Sequence, residues 1–102
     1  MKLWLLRHGE AEPVARRDAE RNLTARGRQQ VREVAEHLQG RPLQAVLVSP
    51  YVRAQQTADL LCEALGFTGQ RQTVTWLTPG SELRQTLREL AGFALDELLL
   101  VT

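Results

Sequence analysis

The sequence is poor in the residues that build disulfides and metal sites. Among 102 residues it has one cysteine, Cys62, and two histidines, His8 and His37. A lone cysteine cannot form an internal disulfide, and with two distant histidines it cannot supply the ligands of a structural metal site. We therefore expect no metal and no cofactor, and a reducing compartment, the cytoplasm, as the location.

Excess charge of one sign and long apolar runs are also lacking. The formal net charge is +1, so no overall field attracts nucleic acid or a membrane surface. The N-terminal apolar run is too short for a signal peptide or a membrane span. Lys2 is the only lysine, so arginine carries the remaining positive charge. Arginine suits forked recognition of phosphate, although a surface preference for arginine would produce the same count.

The length and the hydrophobic pattern predict one domain, residues 1–102, in which strands and helices alternate. Short apolar or β-branched runs predict strands, and those with continuous apolar residues are expected to be buried on both faces. The predicted strands are Leu3–Leu6, Ala45–Val48, Thr73–Leu77 and Leu98–Val101, with a polar connector over Thr68–Gln72.

Apolar stripes with helical spacing lie between these runs, each with residues typical of helix ends. The predicted N-caps are Thr24, Ser49 (followed by Pro50 at the first helical position) and Ser81, and the predicted stops are Gly40 with Pro42, and Gly66. The stripes are Val31, Val34, Ala35 and Leu38; Ala54, Thr57, Ala58, Leu61 and Leu65; and Leu83, Leu87, Leu90 and Ala91.

This alternation predicts a three-layer α/β sandwich, with a mainly parallel sheet and helices on both faces. In such sheets, ligands bind beyond the carboxyl ends of the strands. His8 follows the first predicted strand, between Arg7 and Gly9, and Arg53 follows the second, in the first turn of the next helix. An imidazole nucleophile, two guanidinium groups and a helix N-terminus would together suit phosphoryl transfer. The open alternative is an ordinary strand-end histidine beside surface arginines.

Three segments resemble the motifs of the histidine phosphatase (phosphoglycerate-mutase-like) superfamily, in the same order. Segment 6–13, LRHGEAEP, resembles the family signature, and segment 23–27, LTARG, resembles the LTxxG entry to its first helix. Segment 49–58, SPYVRAQQTA, is similar to the family's SPxxRAxQTA pattern. The short spacings, together with Asp18, Arg21 and Leu77–Pro79, resemble the small SixA-type phosphohistidine phosphatases.

The resemblance implies roles for individual residues. His8 matches the nucleophile that becomes phosphohistidine, and Arg7 and Arg53 match the two arginines that bind the substrate phosphate. Arg21 matches an arginine near that phosphate in the SixA-type branch. Glu82 lies where some relatives keep a proton-donating acid, but SixA-type proteins lack a clear one, and we interpret Glu82 as a solvated glutamate in a first helical turn.

One expected element of the family pattern is not found. The family places a second catalytic histidine after its last core strand, whereas here Leu98–Val101 is followed only by Thr102. His37 cannot replace it, because it lies in mid-helix, where it is expected to pair with Glu33. We therefore expect a chain truncated at the C-terminus and impaired in catalysis as it stands, with a degenerate family member as the alternative. The expectation is based on the apolar last strand, which would leave an uncovered apolar sheet edge.

The function implied by the resemblance is that of a phosphohistidine phosphatase in signal transduction. Its substrate would be a phosphorylated protein such as a histidine phosphotransfer domain, and a covalent intermediate would form on His8. It would also bind phosphate or other oxyanions, but neither nucleic acid nor membranes. The alternatives are a phosphomonoesterase or mutase for small molecules in the same superfamily, and a catalytically impaired module that only binds phosphate.

Overall fold

The fold is built on one four-stranded parallel sheet. The computed structural model describes residues 2–78, 83–93 and 95–102. Its strands are β1 (Lys2–Leu6), β2 (Ala45–Val48), β3 (Gln70–Thr73) and β4 (Glu97–Val101), in the spatial order β1-β4-β2-β3. Its helices are α1 (Ala25–Leu38), α2 (Val52–Leu65) and α3 (Leu83–Leu90), with a short 3-10 helix at Asp18–Glu20.

Helices cover both faces of this sheet, which confirms the predicted three-layer α/β architecture. On one face α1 and α2 pack side by side over alternate strand residues, among them Val46, Val48, Leu99 and Val101. On the other face, Leu90 of α3 packs with the loop residues Val74 and Leu77 over the residues in between, such as Leu47 and Leu100. Alternate residues of a strand point to opposite faces, so both cores draw on the same strands. None of the helices in the described part of the chain is long and apolar enough to cross a membrane.

Helix α1 begins and ends as the sequence predicts. The hydroxyl of Thr24 accepts a hydrogen bond from the backbone N–H of Gly27 at 3.0 Å, and Gly40 follows the helix with a φ of 80°. Helix α2 ends as predicted at Leu65, with Gly66 in the left-handed conformation. Ser81, the predicted N-cap of α3, lies outside the described residues.

The start of α2 differs from the prediction that Ser49 is its N-cap. The helix begins at Val52, and Tyr51 is the residue before it. Ser49 remains extended because its backbone N–H donates to the carbonyl of Val101 at 2.9 Å and so continues the pairing between β2 and β4. Its hydroxyl accepts from the N–H of Tyr51 at 3.3 Å, which helps the chain to turn into the helix.

The third strand was predicted at Thr73–Leu77, and this is wrong. The strand is Gln70–Thr73, which pairs with β2 at the edge of the sheet and is exposed along its whole length. The position of this strand is determined by its backbone hydrogen bonds to the buried strand β2. Its own side chains need not be apolar, because an edge strand can be exposed. Val74 and Leu77 lie in the loop that follows, and both are buried in the core on the α3 face.

The first strand was predicted to be buried on both faces, and this is also wrong. Strand β1 lies at the other edge of the sheet, and Leu3 and Leu5 are 41% and 71% exposed. Strand β4, which was expected to form an uncovered apolar edge, lies instead between β1 and β2 and is completely buried. The order of the strands could not be deduced from their apolar runs alone.

Candidate active site

The backbone beyond β1 is held at the carboxyl edge of the sheet, the end at which β1, β4 and β2 finish. The N–H of His8 donates to the carbonyl of Thr102 at 2.8 Å, and the N–H of Thr102 donates to the carbonyl of Leu6 at 2.9 Å. These bonds extend the pairing of β1 with β4 beyond the strands. The imidazole of His8 is therefore carried by a backbone that the sheet holds rigidly.

Two hydrogen bonds determine which ring nitrogen of His8 carries the proton. Nδ1 lies 2.6 Å from the carbonyl oxygen of Gly9, and Nε2 lies 3.1 Å from Nε of Arg53. A carbonyl oxygen can only accept and a guanidinium N–H can only donate. Nδ1 must therefore be protonated, and Nε2 carries the lone pair. This is the tautomer that a nucleophilic imidazole needs at Nε2.

The surroundings of His8 also favour its neutral form. Partial burial lowers the pKa of His8 below its ordinary value of 6.5, and the nearby charges of Arg53, Arg7 and Arg21 lower it further. The hydrogen bond to the carbonyl of Gly9 acts in the opposite direction, because it favours a protonated ring. The net shift is downward, so the ring is an unprotonated base at neutral pH.

Gly9 brings the loop after β1 against both helices of this face. Its N–H donates to the hydroxyl of Thr57 at 3.2 Å, and that hydroxyl donates to the carbonyl of Arg53 at 2.7 Å. A Cβ atom at Gly9 would collide with the backbone of Gly27. The glycine is therefore required by close backbone packing, and it fixes the carbonyl that binds Nδ1 of His8.

Arg53 is buried in the first turn of α2, and its side chain is only 7% exposed. Nε of its guanidinium faces His8, while Nη1 and Nη2 donate to the backbone carbonyl and the carboxylate of Asp18 at 2.7 and 3.2 Å. The guanidinium also lies 4.8 Å from the centre of the Tyr51 ring. Every nitrogen of the group thus has a defined partner.

The structure brings three of the four predicted site residues to one cavity. Arg7, His8 and Arg53 all line a cavity of about 430 Å³ that also borders Tyr51 and Trp76. Arg7 is exposed and forms no hydrogen bond or ion pair with the residues that the structure describes. Its guanidinium is therefore available to an anion that enters the cavity.

Arg21, the fourth predicted residue, joins the others indirectly. Its Nε donates to the carbonyl of Glu12, and its Nη1 donates to the carboxylate of Asp18 at 2.9 Å. It does not line the cavity, but the carboxylate that it binds also binds Arg53. Arg21 is thus linked to the His8–Arg53 pair only through Asp18.

Two residues that organise this site were not recognised in the sequence. In the sequence, Asp18 appears only as part of a family resemblance, and Thr57 only as a member of an apolar stripe. Thr57 lies one turn after Arg53 on a buried helix face. A polar residue at such a position could have indicated that its hydroxyl makes buried hydrogen bonds. No local signal connects Asp18 with Arg53, because 35 residues separate them.

The remaining histidine does not line the cavity. His37 is exposed in the last turn of α1, and among the described residues it does not pair with Glu33, contrary to the prediction. Glu82 lies outside the described residues. Within the part of the chain that the structure describes, no three histidine, cysteine or acidic side chains are grouped so that they could hold a metal ion.

Comparison with known proteins assigns the chain to a family. The model of the histidine phosphatase superfamily (branch 1) matches residues 3–77. The chain belongs to the histidine phosphatase superfamily. The matched residues include His8, Arg7 and Arg53. The match ends at Leu77, in the buried loop that follows β3.

Individual members of the superfamily are similar to this chain in sequence and in structure. Phosphohistidine phosphatase SixA of Escherichia coli K12 is 35% identical over 81 residues, which are 78% of this chain and 50% of SixA. The SixA homolog of Haemophilus influenzae is 35% identical over 88 residues, 78% of this chain and 54% of its own. The solved structure of the protein histidine phosphatase SixA with tungstate superimposes with a TM-score of 0.89 at 29% identity, over 100% of this chain and 69% of SixA. The chain thus spans about half the length of these curated relatives.

Proposed function

We propose that this histidine phosphatase removes phosphate from phosphohistidine on a partner protein, through a covalent intermediate on His8. The observation that carries the proposal is the unprotonated Nε2 of His8, which lies 3.1 Å from the guanidinium of Arg53. The similarity to phosphohistidine phosphatase SixA supports the choice of substrate class. A histidine phosphotransfer domain is the kind of partner expected.

The proposed reaction has two steps, and each one breaks one bond to phosphorus. In the first, the hydrogen bond from Arg53 to Nε2 of His8 breaks and the freed lone pair forms a bond to phosphorus. The bond from phosphorus to the substrate nitrogen breaks, and its electron pair stays on that nitrogen. In the second, water attacks the same phosphorus, the His8–phosphorus bond breaks, and inorganic phosphate is released. The hydrogen bond from Nδ1 of His8 to Gly9 is maintained throughout and stabilises positive charge on the ring as it becomes phosphorylated.

The arginines stabilise the transferring phosphoryl group in this proposal. Arg7 and Arg53 present guanidinium donors on the cavity where the phosphoryl oxygens would lie, and guanidinium groups bind such oxygens in a forked geometry. Arg21 would strengthen the same positive potential from behind Asp18. Charge that spreads over the oxygens in the transition state is met by donors that are already in place.

The test follows phosphate from substrate to enzyme. The protein is mixed with a phosphorylated histidine phosphotransfer domain, quenched without acid and analysed by mass spectrometry. We expect phosphate on His8, and we expect His8→Ala to lower the rate by about a thousandfold or more, because only binding and electrostatic contributions remain. His37→Ala, which changes the only other histidine, is the control and should be as active as the unaltered protein. Phosphate on another residue, or an active His8→Ala variant, would refute the proposal.

A second candidate is a phosphatase or mutase for small phosphate esters. The cavity of about 430 Å³ beside His8 favours this alternative, because its volume falls in the range of small-molecule sites. Comparing kcat/KM for the phosphorylated domain and for a panel of small phosphate esters decides between the two. Faster turnover of an ester would leave the role of His8 intact but replace the substrate class.

A further inference from the structure

Asp18 is placed to control both Arg53 and Arg21. It begins the short 3-10 helix Asp18–Glu20 in the loop between β1 and α1, and its side chain is 53% exposed. One carboxylate oxygen, Oδ2, accepts from Nη2 of Arg53 at 3.2 Å, and the other, Oδ1, accepts from Nη1 of Arg21 at 2.9 Å. Its backbone carbonyl accepts from Nη1 of Arg53 at 2.7 Å.

These bonds leave one edge of the Arg53 guanidinium for His8. Because the group is planar and rigid, fixing Nη1 and Nη2 also fixes the direction of Nε–H. Nε then points at Nε2 of His8, the nitrogen that carries the lone pair. An arginine side chain has several rotatable bonds, so without such an anchor its position relative to His8 would vary.

We propose that Asp18 is a positioning residue, whose carboxylate holds Arg53 against Nε2 of His8 and ties Arg21 to the same site. The proposal deepens the function proposed above and rests on it for its role in phosphoryl transfer. The carboxylate itself does not contact the reacting atoms in this role; it acts only through the two arginines.

The charge of Asp18 is essential to this role. Hydrogen bonding from Arg53, with a smaller contribution from Arg21, lowers the pKa of the carboxyl, so it is ionised at neutral pH and both oxygens are acceptors. Asparagine at this position would offer one acceptor oxygen and would turn an NH₂ group towards one of the two arginines. Asp18→Asn therefore breaks at least one of the contacts while keeping the size of the side chain and the backbone carbonyl.

The first experiment measures the affinity for inorganic phosphate and tungstate by titration calorimetry. We expect Asp18→Asn and Asp18→Ala to weaken both by about tenfold, the size that losing a hydrogen bond to a charged group would explain. The control is Asp59→Asn, which breaks another aspartate–arginine pair, with Arg71 at 2.6 Å, outside the site. That variant should bind both anions like the unaltered protein.

The second experiment observes His8 directly by ¹⁵N-resolved NMR of the two imidazole rings. The unaltered protein should show His8 protonated at Nδ1, with an Nε2 shift typical of an accepted hydrogen bond. In both Asp18 variants this Nε2 signal should move towards that of a free imidazole nitrogen, because Arg53 no longer stays in place. His37 supplies an internal reference that should not change, whereas a general loss of structure would move both rings.

The outcomes separate this proposal from the proposed function. Unchanged affinity and an unchanged His8 signal in both Asp18 variants would overturn the positioning role. Tighter anion binding would also overturn it, because the carboxylate would then compete with phosphate for the arginines. If His8 is not phosphorylated but the His8 signal still depends on Asp18, the proposed function fails and the positioning of Arg53 stands. Should Asp18→Ala fail to fold, Asp18→Asn alone decides.

Discussion

At the scale of single residues, the chemistry of this protein depends on how one imidazole is surrounded. His8 has a carbonyl on one nitrogen and a guanidinium on the other, so its tautomer follows from its neighbours. The carbonyl of Gly9 needs a proton on Nδ1, and the guanidinium of Arg53 needs a lone pair on Nε2. A proton on Nε2 would face the N–H of Arg53, which can only donate.

This arrangement predicts how His8 titrates. Partial burial, then Arg53 and the other arginines, lower its pKa, so the NMR midpoint of His8 should lie below 6.5. Since the unfolded chain then binds the proton more readily, the contribution of His8 to stability is complete above about pH 6.5 and is lost as the pH falls towards its lowered pKa. Arg53→Gln should raise the midpoint only part of the way, because burial remains. A midpoint at or above 6.5 in the unaltered protein would contradict this account.

At the scale of elements, the contact between the loop after β1 and the start of α1 explains two glycines at once. The backbones of Gly9 and Gly27 pack against each other, and a Cβ atom at Gly27 would collide with the backbone of Glu10. The N–H of Thr24 also donates to the carbonyl of Glu10 at 2.9 Å. The glycines of the RHG and LTxxG segments are thus two sides of one close approach.

Gly27→Ala should therefore destabilise the protein, although glycine to alanine within a helix ordinarily stabilises by about 1 kcal/mol. The added methyl meets backbone that cannot move without displacing the loop that carries His8, and such overpacking costs about 1–3 kcal/mol. Urea unfolding measures the change. Gln29→Ala, on an exposed part of the same helix, is the control and should change the free energy of unfolding by less than about 0.5 kcal/mol. A Gly27→Ala variant as stable as the unaltered protein would contradict the prediction, because it would show that the loop after β1 can move to accommodate the added methyl group.

At the scale of the whole molecule, the two faces of the sheet are covered unequally. Helices α1 and α2 cover the Trp4 and Leu6 side of β1, whereas the α3 side leaves Leu3 partly exposed and Leu5 largely exposed. Leu5 and Leu100 are paired in register on neighbouring strands and face the same side, yet Leu100 is only 2% exposed and Leu5 is 71% exposed. On this side of the sheet, side chains are therefore buried on β4 but exposed on the neighbouring edge strand β1.

The pair Leu5 and Leu100 provides a direct test of this unequal cover. Leu100→Ala should lower the free energy of unfolding by about 2–5 kcal/mol, because it removes buried methyl groups and leaves a cavity. Leu5→Ala should cost less than about 0.5 kcal/mol, as exposed substitutions do. Urea unfolding of both variants supplies the comparison. Losses of equal size would mean that Leu5 is buried in solution and that this side of the sheet is covered.

What the sequence by itself determined was local. The Thr24 cap, the end of α2 at Gly66 and the bounds of β2 were all predicted correctly, because capping, left-handed glycine and a continuous apolar run act within a few residues. The position of His8 and Arg53 after two strands also followed from the pattern, since parallel strands end at the same edge of a sheet.

What only the tertiary structure decided depends on contacts between distant segments. The strand order β1-β4-β2-β3 exposes Leu5, and backbone pairing with β2 makes the polar segment Gln70–Thr73 a strand. The anchoring of Arg53 by Asp18 spans 35 residues. Hydrophobic periodicity predicts which side of an element is apolar. It does not predict which element lies beside it, because the neighbour depends on how the whole sheet packs.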